Sequence, residues 1–310
     1  AHNCSVYLKE GVAMKVLLIR PKPEKSTIGL QHVMICEPLE LEYLVSNTPL
    51  NIKKNVKAVI YDFIVEKNDY IDILKFEEPD FIVFTGYITH VNAIKKMCKL
   101  AKETLKVVFT GVGGVHAEVV GGDFKCDYID FIYTKNAVDG FNETLQGIID
   151  KKDIQEIQEG IRVIEENEIN FNLIQPDRES VSRYRHKYYY MFHNPCALIK
   201  TSYGCPYNCS FCFCKEITKG IYHSKNMVDV VDELSSIDEK EIYIVDDDFL
   251  FGREKLLEFT SLLKERKIDK NFLVYGRADF IAENEDIIIK LKEVGLRAVI
   301  VGIESVRSED

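Results

Sequence analysis

The chain has 310 residues, 46% of them hydrophobic, which is enough for two folded domains and gives no sign of disorder. Its formal net charge is −10, and because the lysines and arginines are scattered rather than clustered, the charge argues against nucleic acid as a partner. No apolar run approaches the roughly 20 residues of a membrane span and the N-terminus lacks the apolar core of a signal peptide, so we expect a cytoplasmic protein with no membrane partner.

Residues 1–13 precede the first segment with the character of a strand. Residue 1 is Ala, and Met14 opens the sequence MKVLLIRPKP, which is typical of a first strand and first loop. We therefore interpret residues 1–13 as a tail outside the folded domains.

From Met14 onward, short apolar segments alternate with segments of helical length. The predicted strands are residues 15–20, 58–63, 80–86, 106–111 and 130–134. Residues 90–103 place apolar side chains on one helical face, at Val91, Ile94, Met97, Cys98 and Ala101. Apolar strands that alternate with amphipathic helices predict a doubly wound, Rossmann-type α/β domain over residues 14–150, with a parallel sheet covered on both faces.

Residues 151–190 lack this alternation, and we interpret them as a linker with some structure of its own. The sequence GIRVIEENEINFNL (160–173) predicts a small hairpin with its turn near Glu165–Asn167. The aromatic and basic residues that follow could stack on the bases of single-stranded nucleic acid. At a net charge of −10, packing between two domains is the better interpretation.

A second alternating series begins at Cys196. Its predicted strands are residues 196–202, 241–247, 272–277 and 297–304, with helices near 226–237, 253–266 and 284–294. Four such β/α units form part of a barrel or an open sheet, and in both the functional groups lie at the carboxyl ends of the strands. Those ends carry TSYGC, DDDF, GRADF and GIES. Because the chain stops directly after the fourth strand, we expect residues 191–310 to be a C-terminally incomplete domain of a longer protein.

The sequence GCPYNCSFCFCK (204–215) places four of the nine cysteines on one short loop. Cys205, Cys209 and Cys212 follow the spacing C-x3-C-x2-C, whereas a structural zinc site or a ferredoxin cluster takes four ligands with other spacings. Three close thiolates indicate a four-iron cluster whose fourth iron is open to a substrate or cofactor. We expect packing roles for Cys214 and for the isolated cysteines, which are Cys4, Cys36, Cys98, Cys126 and Cys196.

The stretch TSYGCPYNCSFC (201–212) resembles the cluster motif of the radical S-adenosylmethionine (SAM) enzymes, in which the cysteine loop follows the first strand of a full or partial TIM-like barrel. The resemblance implies that the three cysteines ligate a [4Fe-4S] cluster and that SAM chelates its fourth iron. It also implies reductive cleavage of SAM to a 5′-deoxyadenosyl radical, with a flavodoxin- or ferredoxin-type electron donor. Phe211 would pack near the adenine of SAM.

The same resemblance implies cofactor contacts at the ends of the later strands. Asp246, Asp247 and Asp248 lie where this family places groups near the methionine ammonium of SAM, although a solvated acidic turn would look the same. Arg277 would pair with the methionine carboxylate, since a guanidinium matches that group in bidentate fashion. The pair Glu304 and Ser305 would complete the cofactor contacts.

The first domain resembles the cobalamin (B12)-binding domain that precedes the barrel in one class of these enzymes. Thr85 at the end of the third strand and the later pair Gly113–Gly114 correspond to the small residues that let the corrin approach the backbone, although the glycines could serve a tight turn alone. The axial-histidine motif Asp-x-His-x-x-Gly is absent, because none of the seven histidines has Gly three residues later. Cobalamin, as implied here, would have no histidine ligand of that type, and the role of His116 stays open.

These resemblances predict a radical SAM enzyme that uses cobalamin, with methyl transfer to an unactivated carbon as the leading reaction. The alternatives are a non-methylating oxidoreductase or cyclase with a vestigial cobalamin domain, and a non-catalytic cobalamin or iron–sulfur sensor. Methylthiolation of tRNA would require a second cysteine trio in the first domain, and the loops PKPEKS and TGYITH contain no cysteine. The substrate, a small molecule or a peptide, is left open.

Overall fold

The computed structural model describes residues 13–24, 27, 30 and 32–303. In chain order the strands are β1 (Met14–Arg20), β2 (Met34–Ile35), β3 (Val56–Asp62), β4 (Phe81–Thr85), β5 (Phe109–Gly113), β6 (Phe131–Ile132), β7 (Tyr189–Tyr190), β8 (Cys196–Ile199), β9 (Ser202–Tyr203), β10 (His223–Ser224), β11 (Glu241–Ile244), β12 (Asn271–Arg277) and β13 (Leu296–Gly302). The α-helices are α1 (Leu39–Ser46), α2 (Leu50–Lys53), α3 (Tyr70–Glu77), α4 (Val91–Thr104), α5 (Val115–Val120), α6 (Ala137–Ile149), α7 (Ile154–Glu166), α8 (Cys214–Thr218), α9 (Met227–Ser236), α10 (Arg253–Glu265), α11 (Ala278–Glu283) and α12 (Glu285–Glu293). None of the helices in the described part of the chain is long and apolar enough to cross a bilayer.

These elements form two compact units that are not continuous in sequence. The first unit holds the described residues before Leu30 together with Pro38–Ser182, and the second holds those of Leu30–Glu37 and the described chain from Arg183 onward. The short segment enters the second unit because β2 pairs antiparallel with β7. Its last residue, Glu37, accepts a hydrogen bond from the backbone N–H of Leu198 in β8 (2.5 Å).

The sheet of the first unit has the strand order β3-β1-β4-β5-β6, and every pairing is parallel. All residues of β4 and β5 are buried, as expected for strands covered on both faces. The predicted helix of residues 90–103 forms as α4, and its side chains Ile94, Cys98 and Ala101 are buried against this sheet. The predicted doubly wound α/β fold is confirmed. The strand order reverses at β1, which lies between β3 and β4.

The sheet of the second unit has the order β13-β12-β11-β8, again with parallel pairing throughout. On one face, alternate residues such as Ile199, Ile242, Ile244 and Val274 form a core with the helices that connect the strands. This β/α repetition agrees with the predicted series of four units. The carboxyl ends of the strands therefore lie at one edge of the sheet.

The linker region contains a helix where the sequence suggested a hairpin, so that prediction was wrong. Residues 154–166 form α7, because isoleucines spaced at three and four residues give a helical face, of which Ile157 and Ile161 are buried. Two polar side chains of α7 cover the free edge of β6. Gln158 donates to the carbonyl oxygen of Asp130 (2.8 Å), and Glu165 accepts from the backbone N–H of Thr134 (2.6 Å).

Candidate functional site

The cysteine loop leaves the sheet of the second unit just beyond the carboxyl end of β8. Its base is closed by the antiparallel pairing of β9 with β10 and by Gly204, which has φ +74°. A Cβ at Gly204 would lie 2.2 Å from the carbonyl oxygen of Ile221, so only glycine fits at this turn. The four loop cysteines are half-buried and form no disulfide within the described part of the chain: Cys205, Cys209, Cys212 and Cys214.

Asp246, which follows β11, fastens the start of this loop. Its carboxylate accepts hydrogen bonds from the backbone N–H of Thr201 (2.7 Å) and from the N–H (3.0 Å) and hydroxyl (2.8 Å) of Ser202. The hydroxyl of Thr201 also donates to it. The side chain is 1% exposed. Both of its oxygens are thus already used by the protein, and Asp246 holds the loop rather than presenting an open carboxylate.

Asp248 behaves differently from its neighbour, because its carboxylate is buried without a well-aligned hydrogen bond from the described residues. The residue is 3% exposed, and neither oxygen has a partner of good geometry in that part of the chain. Burial raises its pKa to about 6, outweighing the opposing effects of Arg277, the Leu250 backbone N–H and Lys255. A buried, unsatisfied carboxylate is costly unless a ligand supplies a donor or a positive charge. The ammonium of SAM is a group of that kind.

Asp247, between these two, is exposed, and its Oδ1 accepts a hydrogen bond from the thiol of Cys214 (3.4 Å). Burial raises the pKa of the Cys214 thiol, and the nearby Asp247 carboxylate adds to this effect. The three consecutive aspartates therefore have three different environments. Only Asp247 fits the description of a solvated acidic turn.

Arg277 at the end of β12 brings a positive charge to the cysteine loop. Its guanidinium carbon lies 4.1 Å from the ring centroid of Tyr207, a cation–π contact. Its Nε and Nη2 donate to the carboxylate of Asp279, at 3.1 and 2.6 Å. These bonds raise the pKa of Arg277 and fix the orientation of its guanidinium. Tyr207 was not identified from the sequence; its position between two loop cysteines was the available signal.

The remaining predicted contacts of the second unit are less defined by the structure. Phe211 is 69% exposed, so its ring is accessible to the adenine of SAM, the contact that the sequence predicts. Glu304 and Ser305 lie outside the described residues.

The donor set of the loop suits a cluster better than a single metal ion. Among the described residues, no group of three His, Cys, Asp or Glu side chains converges on a point where one ion could bind. The thiolates of an iron–sulfur cluster bind different irons and need not converge in this way. Three thiols on one glycine-closed loop, beside an unsatisfied buried carboxylate, fit a cluster with SAM next to it.

In the first unit, the three residues predicted for cobalamin meet at the carboxyl edge of the sheet, where Thr85 of β4 is paired with Gly113 of β5. Gly114 has φ +89°, and a Cβ there would lie 2.6 Å from Oγ1 of Thr85. The protein itself therefore requires glycine at 114. His116 is buried, and its Nε2 lies 2.8 Å from Oδ2 of Asp123, which gives it a structural partner.

Comparison with known proteins matches both units to families. The model of the B12 binding domain matches residues 36–142, and the model of the Radical SAM superfamily matches residues 199–309. The hopanoid C-3 methylase of Methylococcus capsulatus is 26% identical over 307 residues, covering 96% of this chain and 58% of that protein. An uncharacterized methyltransferase of Pyrococcus horikoshii is 24% identical over 309 residues, covering 94% of this chain and 66% of that protein.

Solved structures show the same fold. The cobalamin-dependent SAM radical enzyme OxsB, with aqua-cobalamin and SAM bound, superposes with a TM-score of 0.69 at 17% identity, over 94% of this chain and 44% of that one. Its form with aqua-cobalamin alone gives a TM-score of 0.68 at 14% identity, over 96% and 45%. The chain thus spans between about two fifths and two thirds of the length of these proteins.

Proposed function

We propose a function on the premise that the chain carries a B12-binding domain followed by a radical SAM domain. In this proposal, the protein is an enzyme that cleaves SAM reductively and uses cobalamin to transfer a methyl group to an unactivated carbon. The relatives support the methyl transfer, since one is a methylase acting at a carbon position and the other is described as a methyltransferase. The cofactors of this proposal are a [4Fe-4S] cluster, SAM and cobalamin.

The observation that carries the proposal is the arrangement at the carboxyl ends of β8, β11 and β12. The cysteine loop, the unsatisfied carboxylate of Asp248 and the guanidinium of Arg277 all lie there, and Asp248 and Cys205 are close enough for the carboxylate to raise the pKa of the thiol, although burial of the thiol is the larger cause. An amino acid bound to an iron–sulfur cluster requires thiolates for the irons, an anion for its ammonium and a cation for its carboxylate. All three kinds of group lie at this edge.

Each residue of this edge has a proposed task. Cys205, Cys209 and Cys212 would ligate three irons. Asp248 would accept a hydrogen bond from the ammonium of SAM. Arg277 would offer Nη1 to the methionine carboxylate while Asp279 holds the other side of the guanidinium. When bound, the reduced cluster supplies the electron for SAM cleavage, and cobalamin supplies the methyl carrier.

Asp246 and the glycine-closed turn at Gly204 would keep the cysteine loop in one conformation, so that little reorganisation is needed when the cofactors bind. In the first unit, Thr85, Gly113 and Gly114 would border the corrin. We further propose a cytoplasmic protein reduced by a flavodoxin- or ferredoxin-type donor, with a small molecule or a peptide as substrate.

The direct test is anaerobic incubation of the iron–sulfur-reconstituted protein with SAM and a strong reductant, with 5′-deoxyadenosine measured by mass spectrometry. We expect its formation to depend on both the cluster and the reductant, with protein left without iron as the control. A protein that binds cluster and cobalamin but forms no 5′-deoxyadenosine would be a sensor. A protein that forms 5′-deoxyadenosine but does not bind cobalamin would be an enzyme with a vestigial first domain.

The unsatisfied carboxylate of Asp248 predicts a pH-dependent stability that needs no cofactor. The folded protein raises its pKa from 3.8 to about 6, so between these values the folded state binds more protons than the unfolded state. The contribution of Asp248 to stability should therefore fall as the pH rises from about 4 to above 6. Replacing Asp248 with Asn removes this titration, and we expect the variant to be more stable than the parent by roughly 2–3 kcal/mol at pH 7, with no gain near pH 4.

Urea unfolding of the cofactor-free proteins at the two pH values measures this difference. Asp247→Asn is the matched control, because it makes the same substitution at the neighbouring, exposed aspartate. A loss of stability at pH 7 in Asp248→Asn would mean that the carboxylate is satisfied in the folded protein.

A further inference from the structure

His90 lies at the point of the first unit where a doubly wound sheet binds its ligands. The strand order reverses at β1, and ligands of such sheets bind outside the carboxyl ends of the two strands that diverge there. His90 follows β4, and Arg20, which ends β1, is close enough to lower the pKa of the imidazole. The imidazole therefore sits beside the crevice between the ends of β1 and β4.

The glycine that follows β4 leaves room for this ring. Gly86 directly follows the strand, and a Cβ there would lie 2.8 Å from the Cβ of His90 and 3.1 Å from its Cγ. Any larger residue at 86 would displace the histidine. The neighbouring Tyr87 and Ile88 are exposed apolar side chains on the same turn, and they offer a surface to a flat ligand.

One ring nitrogen of His90 has a partner and the other has none. Nδ1 accepts a hydrogen bond from the backbone N–H of Tyr87 (3.1 Å), so the proton of the neutral ring is on Nε2. Burial lowers the pKa of His90, and the Arg20 charge adds to this, which favours the neutral ring. His90 is 6% exposed, and its Nε2 is fully buried. This nitrogen has no hydrogen-bond partner among the described residues. A buried N–H without an acceptor is rare and costly.

We propose that His90 is a cobalamin-binding residue, which donates a hydrogen bond from Nε2 to a carbonyl oxygen of an amide side chain at the edge of the corrin. This rests on the proposed function of the first domain. The tautomer set by Tyr87 places a proton on Nε2, so His90 acts as a donor to oxygen and not as a ligand of cobalt. On this proposal the domain has no axial histidine of the Asp-x-His-x-x-Gly type, and it uses the N–H of His90 to bind the edge of the corrin.

The test compares His90→Phe with the parent by titrating the full chain with hydroxocobalamin and with methylcobalamin, followed by their absorption spectra. Phenylalanine fills the same space but donates nothing. We expect cobalamin binding to weaken roughly tenfold for both forms, because each loses the same hydrogen bond to the corrin. We expect the cofactor-free variant to have an unchanged or higher thermal midpoint, since the unsatisfied N–H is gone. Gly86→Ala should weaken binding in the same way by moving the ring.

His116→Phe is the matched control, because His116 is a buried histidine whose Nε2 is already paired with Asp123. It should lower the thermal midpoint and leave cobalamin binding unchanged. Equal cobalamin binding by His90→Phe and the parent would overturn the proposal, as would a loss confined to hydroxocobalamin, which would place the acceptor on the axial ligand. A parent protein that binds neither form would instead overturn the cobalamin part of the proposed function.

Discussion

Replacing Cys205, Cys209 or Cys212 with alanine should abolish the iron–sulfur cluster, from about four irons per chain in the reconstituted parent to almost none. Each substitution removes one of the three thiolates proposed to ligate the cluster. The measurements are iron and sulfide content and the EPR signal of the reduced protein, with the loss of 5′-deoxyadenosine formation as a second consequence.

Cys214→Ala is the control for these variants. Its thiol is hydrogen-bonded to Asp247 and lies on α8, beyond the three-cysteine motif, so we expect the cluster to be retained. A cluster that is lost in Cys214→Ala and kept in one of the other three would show that the ligands are assigned wrongly.

Replacing Asp246 with alanine should lower the free energy of unfolding of the cofactor-free protein by about 3–5 kcal/mol. The substitution leaves two backbone N–H groups and two hydroxyls, on Thr201 and Ser202, without their acceptor in a fully buried place. The cysteine loop starts at these residues, so the cluster should also be lost more readily. Urea unfolding and iron retention over time measure the two effects.

Asp246→Asn separates the hydrogen bonds from the charge of this carboxylate. The amide keeps one acceptor oxygen and the shape of the side chain, and we expect a smaller loss of stability with the cluster still formed. If Asp246→Ala unfolds like the parent but weakens SAM binding, the carboxylate contacts the cofactor and the present assignment to the loop is wrong.

The sequence predicted the sheets well because burial on both faces leaves a direct signal in the residue pattern. It could not separate the three aspartates after β11, since adjacent side chains of one residue type carry no pattern. Their roles follow from which neighbours the fold supplies. Asp246 has Thr201 and Ser202, Asp247 has solvent and the Cys214 thiol, and Asp248 has no aligned donor among the described residues. His90 was missed for a similar reason, because an unsatisfied nitrogen is visible only once its surroundings are known.

Two other features differ from the prediction for different reasons. The isoleucine spacing of α7 is present in the sequence, but residues 165–167 are also typical of a turn. The pairing of β2 with β7 could not be predicted, because two-residue strands have no period.

The position of Leu30–Glu37 in the second unit has a consequence for how the protein can be divided. The chain passes from the first unit to the second, returns, and leaves again, so no single cut separates two self-sufficient pieces. A piece that starts at Pro38 would lack β1, the strand between β3 and β4, and a piece that starts at Arg183 would lack the Glu37 carboxylate that binds Leu198 and Arg185. The second unit therefore completes its fold only with residues that are made before most of the first unit, and we expect the two units to fold only when they are expressed as one chain.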